Sequence, residues 1–240
     1  MRKIISFSII KEIRKGLERD PDFPELINDY EEYHKTSKVN VMSKKRVELI
    51  ADWIEPNSKI LDVGCGEGYT AKYLYQTRNV HIIGVDISAE AIAKFRRLTG
   101  LKGYVADVNR GLKLAEDEYF DYILFLEVLE HLVYPHKVLI EAIKHSKKGV
   151  IVTLPNLGYF RWRLQLLCGY FPRQSFTHLH SWTIRDFELF CHKLGLHILD
   201  FKTILPKEKY KAKIVLRFRN WLAYQQCWLL AGNAQRRKKE

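Results

Sequence analysis

Three glycines spaced two residues apart, Gly64, Gly66 and Gly68, separate an apolar run with strand character from a segment with helical spacing. A chain that must turn this sharply, with its backbone left bare, is reading out of a strand and into a helix. From about Ser58 onward apolar runs alternate with helical patterns, the signature of βαβ units. Strands are predicted at 59–63, 80–85, 102–106, 119–126 and 149–154, and helices at 69–76, 89–98 and 136–145. Ser88 is a natural N-cap for the second helix, and Pro155-Asn156 stops the fifth strand. The near-continuous apolar stretch Tyr122-Ile123-Leu124-Phe125-Leu126 suits the interior of a parallel sheet covered on both faces. Beyond it come an amphipathic helix at 160–167, a helix at 183–194, a strand at 197–203 and a last apolar segment at 221–230. The last two are expected to be antiparallel partners at one sheet edge.

A chain of 240 residues that is 47% hydrophobic fits one α/β domain with terminal additions. The expected organisation is an N-terminal basic extension at 1–45, a main domain at 46–231 with a cover over its mouth at about 156–182, and a basic tail at 232–240. Charged or amide side chains interrupt every apolar stretch before it reaches the roughly 18 residues of a membrane span. The start of the chain has a short apolar segment that runs into Lys11-Glu12-Ile13-Arg14-Lys15 without a small-residue cleavage site, so it is read as retained. Cys65, Cys168, Cys191 and Cys227 are scattered, with no C-x-x-C pair to suggest zinc or a disulfide framework, and a reducing cytoplasmic setting is expected. The net charge of +12 favours acidic partners, although a solvated basic surface with a frayed tail is the simpler account of it. Ile5, Ile9, Ile13 and Leu17 recur at helical spacing beside Lys and Arg. That pattern suits a helix packed on its own domain or, less commonly, one laid on an anionic membrane surface or a partner subunit.

The glycine loop acquires chemical meaning from its surroundings. Asp86 lies 22 residues beyond Gly64 at the end of the next predicted strand, where a carboxylate accepts both hydroxyls of a ribose. A dinucleotide site requires G-x-G-x-x-G, whereas this loop is G-x-G-x-G with Glu67 where a pyrophosphate would lie. A carboxylate repels a pyrophosphate but tolerates or assists the sulfonium and ammonium of S-adenosylmethionine. Asp107, after the third strand, is placed to accept from an adenine amine. The expected cofactor-binding set is Asp62, Gly64, Cys65, Gly66, Gly68, Asp86, Ile87, Asp107, Val108 and Glu127. A glycine turn flanked by unrelated acidic caps is the competing explanation, which the ordered combination disfavours.

The stretches 60–68, Gly84-Val85-Asp86-Ile87-Ser88, Ala106-Asp107 and Phe120-Asp121-Tyr122 resemble, in order and separation, the successive motifs of class I methyltransferases. The resemblance covers roughly 45–230. It implies a Rossmann-like α/β fold with a seven-stranded, mostly parallel sheet, helices on both faces and a reversed last strand. It also implies ribose on Asp86, adenine on Asp107, and the methionine end on Asp62 and the glycine loop. Downstream, 153–163 and Thr183-Ile184-Arg185-Asp186-Phe187-Glu188 look like the methionine-biosynthesis protein MetW and its relatives. The segment Glu127-Val128-Leu129-Glu130-His131 is instead similar to the O-methyltransferases of quinone biosynthesis.

Methyl transfer is an in-line displacement at carbon, and it needs a base only when the acceptor is a protonated hydroxyl. Glu127, Glu130 and His131 stand at i, i+3 and i+4, so a helix starting there would set all three on one face beside the cofactor. His131 titrates in the range suited to a general base. A sharper alternative has the same three residues hold Mg²⁺, with His178 or His180 completing the shell, as in some hydroxyl-methylating enzymes that this chain resembles. Acidic residues in a first helical turn are also favourable with no ligand at all. Arg161 and Arg163, in the expected cover, would receive a carboxylate or phosphate or simply face water. The favoured activity is methylation of an oxygen on a small or amphiphilic molecule. The alternative is a MetW-like auxiliary subunit acting with a partner in methionine biosynthesis. A nucleic-acid methyltransferase comes third, because no aromatic residues interleave with the basic clusters.

Overall fold

The computed structural model describes residues 41–172, 177–204 and 218–232. The expected amphipathic helix around Ile5 to Leu17 and most of the basic tail lie outside the described residues. The order is α1 (Val41–Ala51), β1 (Lys59–Val63), α2 (Tyr69–Arg78), β2 (His81–Asp86), α3 (Ala89–Thr99), β3 (Lys102–Val105), β4 (Phe120–Leu126), α4 (Pro135–His145), β5 (Ser146–Pro155), α5 (Phe160–Leu167), α6 (Ile184–Lys193), β6 (His197–Ile204), α7 (Arg219–Leu222) and β7 (Gln225–Ala231). Short 3₁₀ turns at Val108–Arg110 and Leu129–His131 follow β3 and β4.

The seven strands lie in the order β3-β2-β1-β4-β5-β7-β6. The first five pair in parallel, whereas β7 runs antiparallel to both β5 and β6. This is the Rossmann-like sheet with a reversed last strand that the resemblance implied. Alternation along the strands feeds two cores. Leu61, Val63, Ile123, Phe125, Val152 and Trp228 face one side with α4 and α6, while Ile60, Tyr122, Leu124, Ile151 and Leu229 face the other with α1, α2 and α3. A sheet covered on both faces leaves its strand ends as the open surface.

Two of the helices, α3 and α6, start where a side chain satisfies their free amides. Ser88 Oγ accepts from Ala91 N at 3.0 Å, and Thr183 forms a reciprocal capping box with Asp186. Two local expectations are corrected. The segment after Leu126 does not start a helix: Glu127 sits at φ +61 and the next helix begins at Pro135. The last apolar segment is also divided, with Trp221 in a short helical turn and the strand starting at Gln225. The expected boundary at residues 45 and 46 falls inside α1, so this helix is continuous with the main domain.

Candidate functional site

Because β1 has β2 on one side and β4 on the other, the loops that leave β1 and β4 diverge at the carboxyl edge and open a crevice there. The glycine loop forms its floor. Gly64, Gly66 and Gly68 adopt φ of +68, +52 and +89, in the left-handed region where L side chains are strained. A Cβ on Gly64 would lie 2.5 Å from Val128 Cγ2, so at the root of the crevice, before the two loops part, Gly64 sits against Val128 only because it has no side chain. Gly64 N and Cys65 N both donate to Val85 O at 2.8 and 3.0 Å, and Gly66 N donates to Asp86 Oδ2 at 2.8 Å. The other Asp86 oxygen accepts from Ser88 N at 3.0 Å, leaving one lone pair on each oxygen.

Asp62, the penultimate residue of β1, lies at the foot of this loop with 2% of its surface exposed, and its Oδ2 has no hydrogen-bond partner. Burial, reinforced by the neighbouring Asp86 charge and opposed by Arg46, raises its pKa to about 7. Asp107 caps the 3₁₀ turn after β3, accepting from Asn109 N at 3.1 Å, with Arg110 3.3 Å away; Val108 opens that turn. Ile87 lies exposed beside Asp86. One side chain of the expected set, that of Cys65, and the neighbouring Glu67 of the same loop point elsewhere. The Cys65 sulfur is buried beneath the loop against Gly84, where burial pushes its pKa up. Glu67 turns to Lys94 on α3 at 3.0 Å, rather than into the crevice.

The β4 side is assembled differently. The left-handed backbone of Glu127 sends its carboxyl to Arg46, 3.5 Å away, and to Thr153 Oγ1 at 3.3 Å. Burial raises its pKa and Arg46 opposes the shift. Glu130 faces inward with 1% exposure and both carboxyl oxygens unpartnered; burial, followed by the Glu127 charge, raises its pKa well above the ordinary carboxyl value. His131 Nδ1 lies 3.2 Å from Thr177 O, and its ring meets the His178 ring edge-on at 4.7 Å. Burial lowers both imidazole pKa values, that of His178 to about 4 with help from His131. The ligating atoms of Glu130, His131 and His178 lie within 4.8 Å of one another. Glu127 is outside that group, and His180 stacks on Trp182 instead.

Arg46 was not among the expected residues. It lies in a run of basic residues, but it also stands one helical turn before the fully buried Ile50, which marks it as facing inward. In the cover, Arg163 donates to Gly158 O at 2.7 Å and stacks over Trp221, so it is engaged within the protein.

The profile of the family described as "Methionine biosynthesis protein MetW" matches residues 44–230. The chain is 35% identical over 99 residues to a ubiquinone biosynthesis O-methyltransferase of Hahella chejuensis, covering 39% of this chain and 41% of that protein. It is 28% identical over 240 residues to the protein of the same name from Hydrogenovibrio crunogenus, covering 89% of this chain and 97% of the other. The chain thus spans about two fifths of the Hahella protein and nearly all of the Hydrogenovibrio one. Among solved structures, a SAM-dependent methyltransferase from Archaeoglobus fulgidus superposes with a TM-score of 0.60 at 17% identity, covering 79% of this chain and 92% of that one; this likeness speaks for the fold.

Proposed function

From the premise that this chain belongs to the MetW family of class I methyltransferases, we propose that it transfers a methyl group from S-adenosylmethionine to an oxygen of a small or amphiphilic acceptor. The observation that carries the reading is the buried, unpartnered Asp62 Oδ2 beneath a loop that tolerates no Cβ at Gly64. A buried acceptor without a donor is costly, and the ammonium of a methionyl group supplies one. The remaining Asp86 lone pairs suit ribose hydroxyls. Asp107, with Ile87 and Val108 on either side of the adenine, is assigned the base. Arg46 provides the positive charge for the methionine carboxylate. When bound, the cofactor supplies an electrophilic methyl on sulfur. The chain's part is to hold the two reactants in line and to take the proton that the acceptor hydroxyl releases, a role we assign to His131 with Glu130 beside it.

The Mg²⁺ expectation fits these side chains less well. Mg²⁺ favours an all-oxygen octahedron, whereas one carboxyl and two imidazoles converge here. No step of the reading runs through a metal ion. A second reading, an auxiliary subunit with a partner in methionine biosynthesis, draws its support from the description of the family itself. The basic N-terminal stretch around Ile5 to Leu17 is kept as the proposed contact with an anionic membrane or a partner. Among the described residues no helix is long and apolar enough to cross a membrane.

Calorimetry with S-adenosylhomocysteine, followed by a labelled-methyl screen of cell extract, tests the reading. Asp86→Ala is expected to lower affinity by several-fold to about a hundredfold, equivalent to roughly 1–3 kcal/mol for a charged acceptor. Undiminished affinity would remove Asp86 from the site. Binding without methyl transfer to any metabolite, together with co-purification of an acyltransferase, would favour the auxiliary reading.

A further inference from the structure

We propose that residues 177–182 form a strap that fixes the tautomer of His131, and that Gln226 is the positioning residue pinning the strap's far end. The inference rests on the methyl-transfer reading, in which the lone pair so fixed has a proton to accept.

At one end, the strap is bonded to the turn that carries His131. Leu179 N and His180 N both donate to Glu130 O, at 2.8 and 3.1 Å. Thr177 O faces His131 Nδ1 at 3.2 Å. A carbonyl oxygen only accepts, so Nδ1 must carry the hydrogen; in the neutral ring the acceptor lone pair then lies on Nε2. The Thr177 carbonyl therefore does for His131 what a carboxylate does for the histidine of a catalytic triad: it selects the tautomer and holds the ring.

At the other end, Trp182 O accepts from Leu157 N at 3.0 Å and from Gln226 Nε2 at 3.2 Å. The same amide donates to Pro155 O at 3.0 Å, and Gln226 Oε1 accepts from Trp228 Nε1 at 3.0 Å. Gln226 is fully buried on β7, and its carboxamide bridges the end of β5, the strap and the core tryptophan. A buried carboxamide is costly unless its bonds are made, and here one of its three is made to the strap. Stacking of His180 on Trp182, with ring centroids 5.3 Å apart at 18°, stiffens the stretch between the two anchors.

The test is NMR of protein labelled with ¹³C and ¹⁵N at histidine, with His131→Asn assigning the ring signals. The wild-type ring is expected as the Nδ1–H form. Gln226→Leu is expected to convert His131 to a mixture of tautomers while S-adenosylhomocysteine affinity stays within about twofold, since that site shares no partner with Gln226. Trp228→Phe disturbs the core but leaves the bond from Gln226 to Trp182, and is expected to keep the wild-type tautomer. If Gln226→Leu does not fold, Gln226→Met, closer in shape, gives the same readout. A wild-type Nε2–H ring, or unchanged ring signals in the Gln226 variant, would overturn the proposal. Failure of the wild-type protein to bind S-adenosylhomocysteine would instead strike the functional reading and leave the tautomer result standing.

Discussion

The two walls of the crevice are built on different principles. The wall after β1 and β2 is local: the glycine loop, Asp86 and Ser88 satisfy one another within a few residues and one strand pairing. The wall after β4 is assembled from α1, the ends of β4 and β5, the strap and the start of β7, which contribute Arg46, Glu127, Thr153, Thr177, His178 and Gln225. A local wall suits a constant ligand, because it forms wherever the motif folds. A wall drawn from distant segments is easily varied, which, apart from the Arg46 assigned to the cofactor, suits the side that chooses an acceptor.

If this division is functional, the two walls separate under mutation. The largest effect is expected from His131→Asn, whose amide can still donate to Thr177 O but cannot accept a proton as an imidazole does. Methyl transfer to acceptors in cell extract should fall by roughly a hundred- to ten-thousandfold. S-adenosylhomocysteine affinity should change by less than about threefold, because the β1 wall keeps its contacts. A parallel loss of affinity and rate would mean that the walls act as one unit.

The same contrast explains what was legible in the sequence. The glycine loop, Asp86 and the Ser88 cap are short-range patterns, and each takes the place its spacing implied. The segment Glu127 to His131 was not legible, because its i, i+3, i+4 spacing describes a helix only if Glu127 has helical dihedrals. The φ of +61, which Glu127 keeps while its amide donates to Thr153 O, is a tertiary choice that no local propensity announces. Arg46 and Gln226 were hidden for a related reason: their partners are 81 and 44 residues away, at Glu127 and Trp182. Only their proximity to buried apolar neighbours hinted at an inward role.

A second, smaller effect should mark the β1 wall by its pH dependence. Asp62 has a folded pKa of about 7 against an ordinary value of 3.8. Between these values the folded protein holds a proton that the unfolded chain has released. The stability this supplies is fully present below about pH 4 and is lost as pH rises through 7. Asp62→Asn cannot ionise, so the ligand-free variant should exceed wild type by on the order of 4 kcal/mol at pH 8 and match it near pH 4, as read by denaturant unfolding. It should also bind S-adenosylhomocysteine more weakly. A variant that is more stable yet binds less well would show that Asp62 is retained for its ligand rather than for the fold; an unchanged pH profile would place Asp62 in an ordinary solvated environment.

The smallest effect concerns Glu67, where expectation and structure part. Facing the crevice, Glu67 would attract the cofactor's positive end directly. In the structure it is held by Lys94 at 3.0 Å, with both side chains largely sheltered, so that the pair braces the glycine loop against α3. The two arrangements predict different double-mutant cycles. Lys94→Met should lower S-adenosylhomocysteine affinity by about threefold, within the roughly 0.2–1 kcal/mol typical of exposed pairs because only part of the brace's energy reaches the loop. Glu67→Gln should cost about the same, and the double variant little more, because one brace can be removed only once. Were Glu67 instead a direct ligand of the cofactor, its loss would lower affinity in the Lys94→Met background as much as in wild type, and the cycle would close without coupling. Raising the salt concentration should shrink the brace's contribution only slightly, since a sheltered pair is weakly screened.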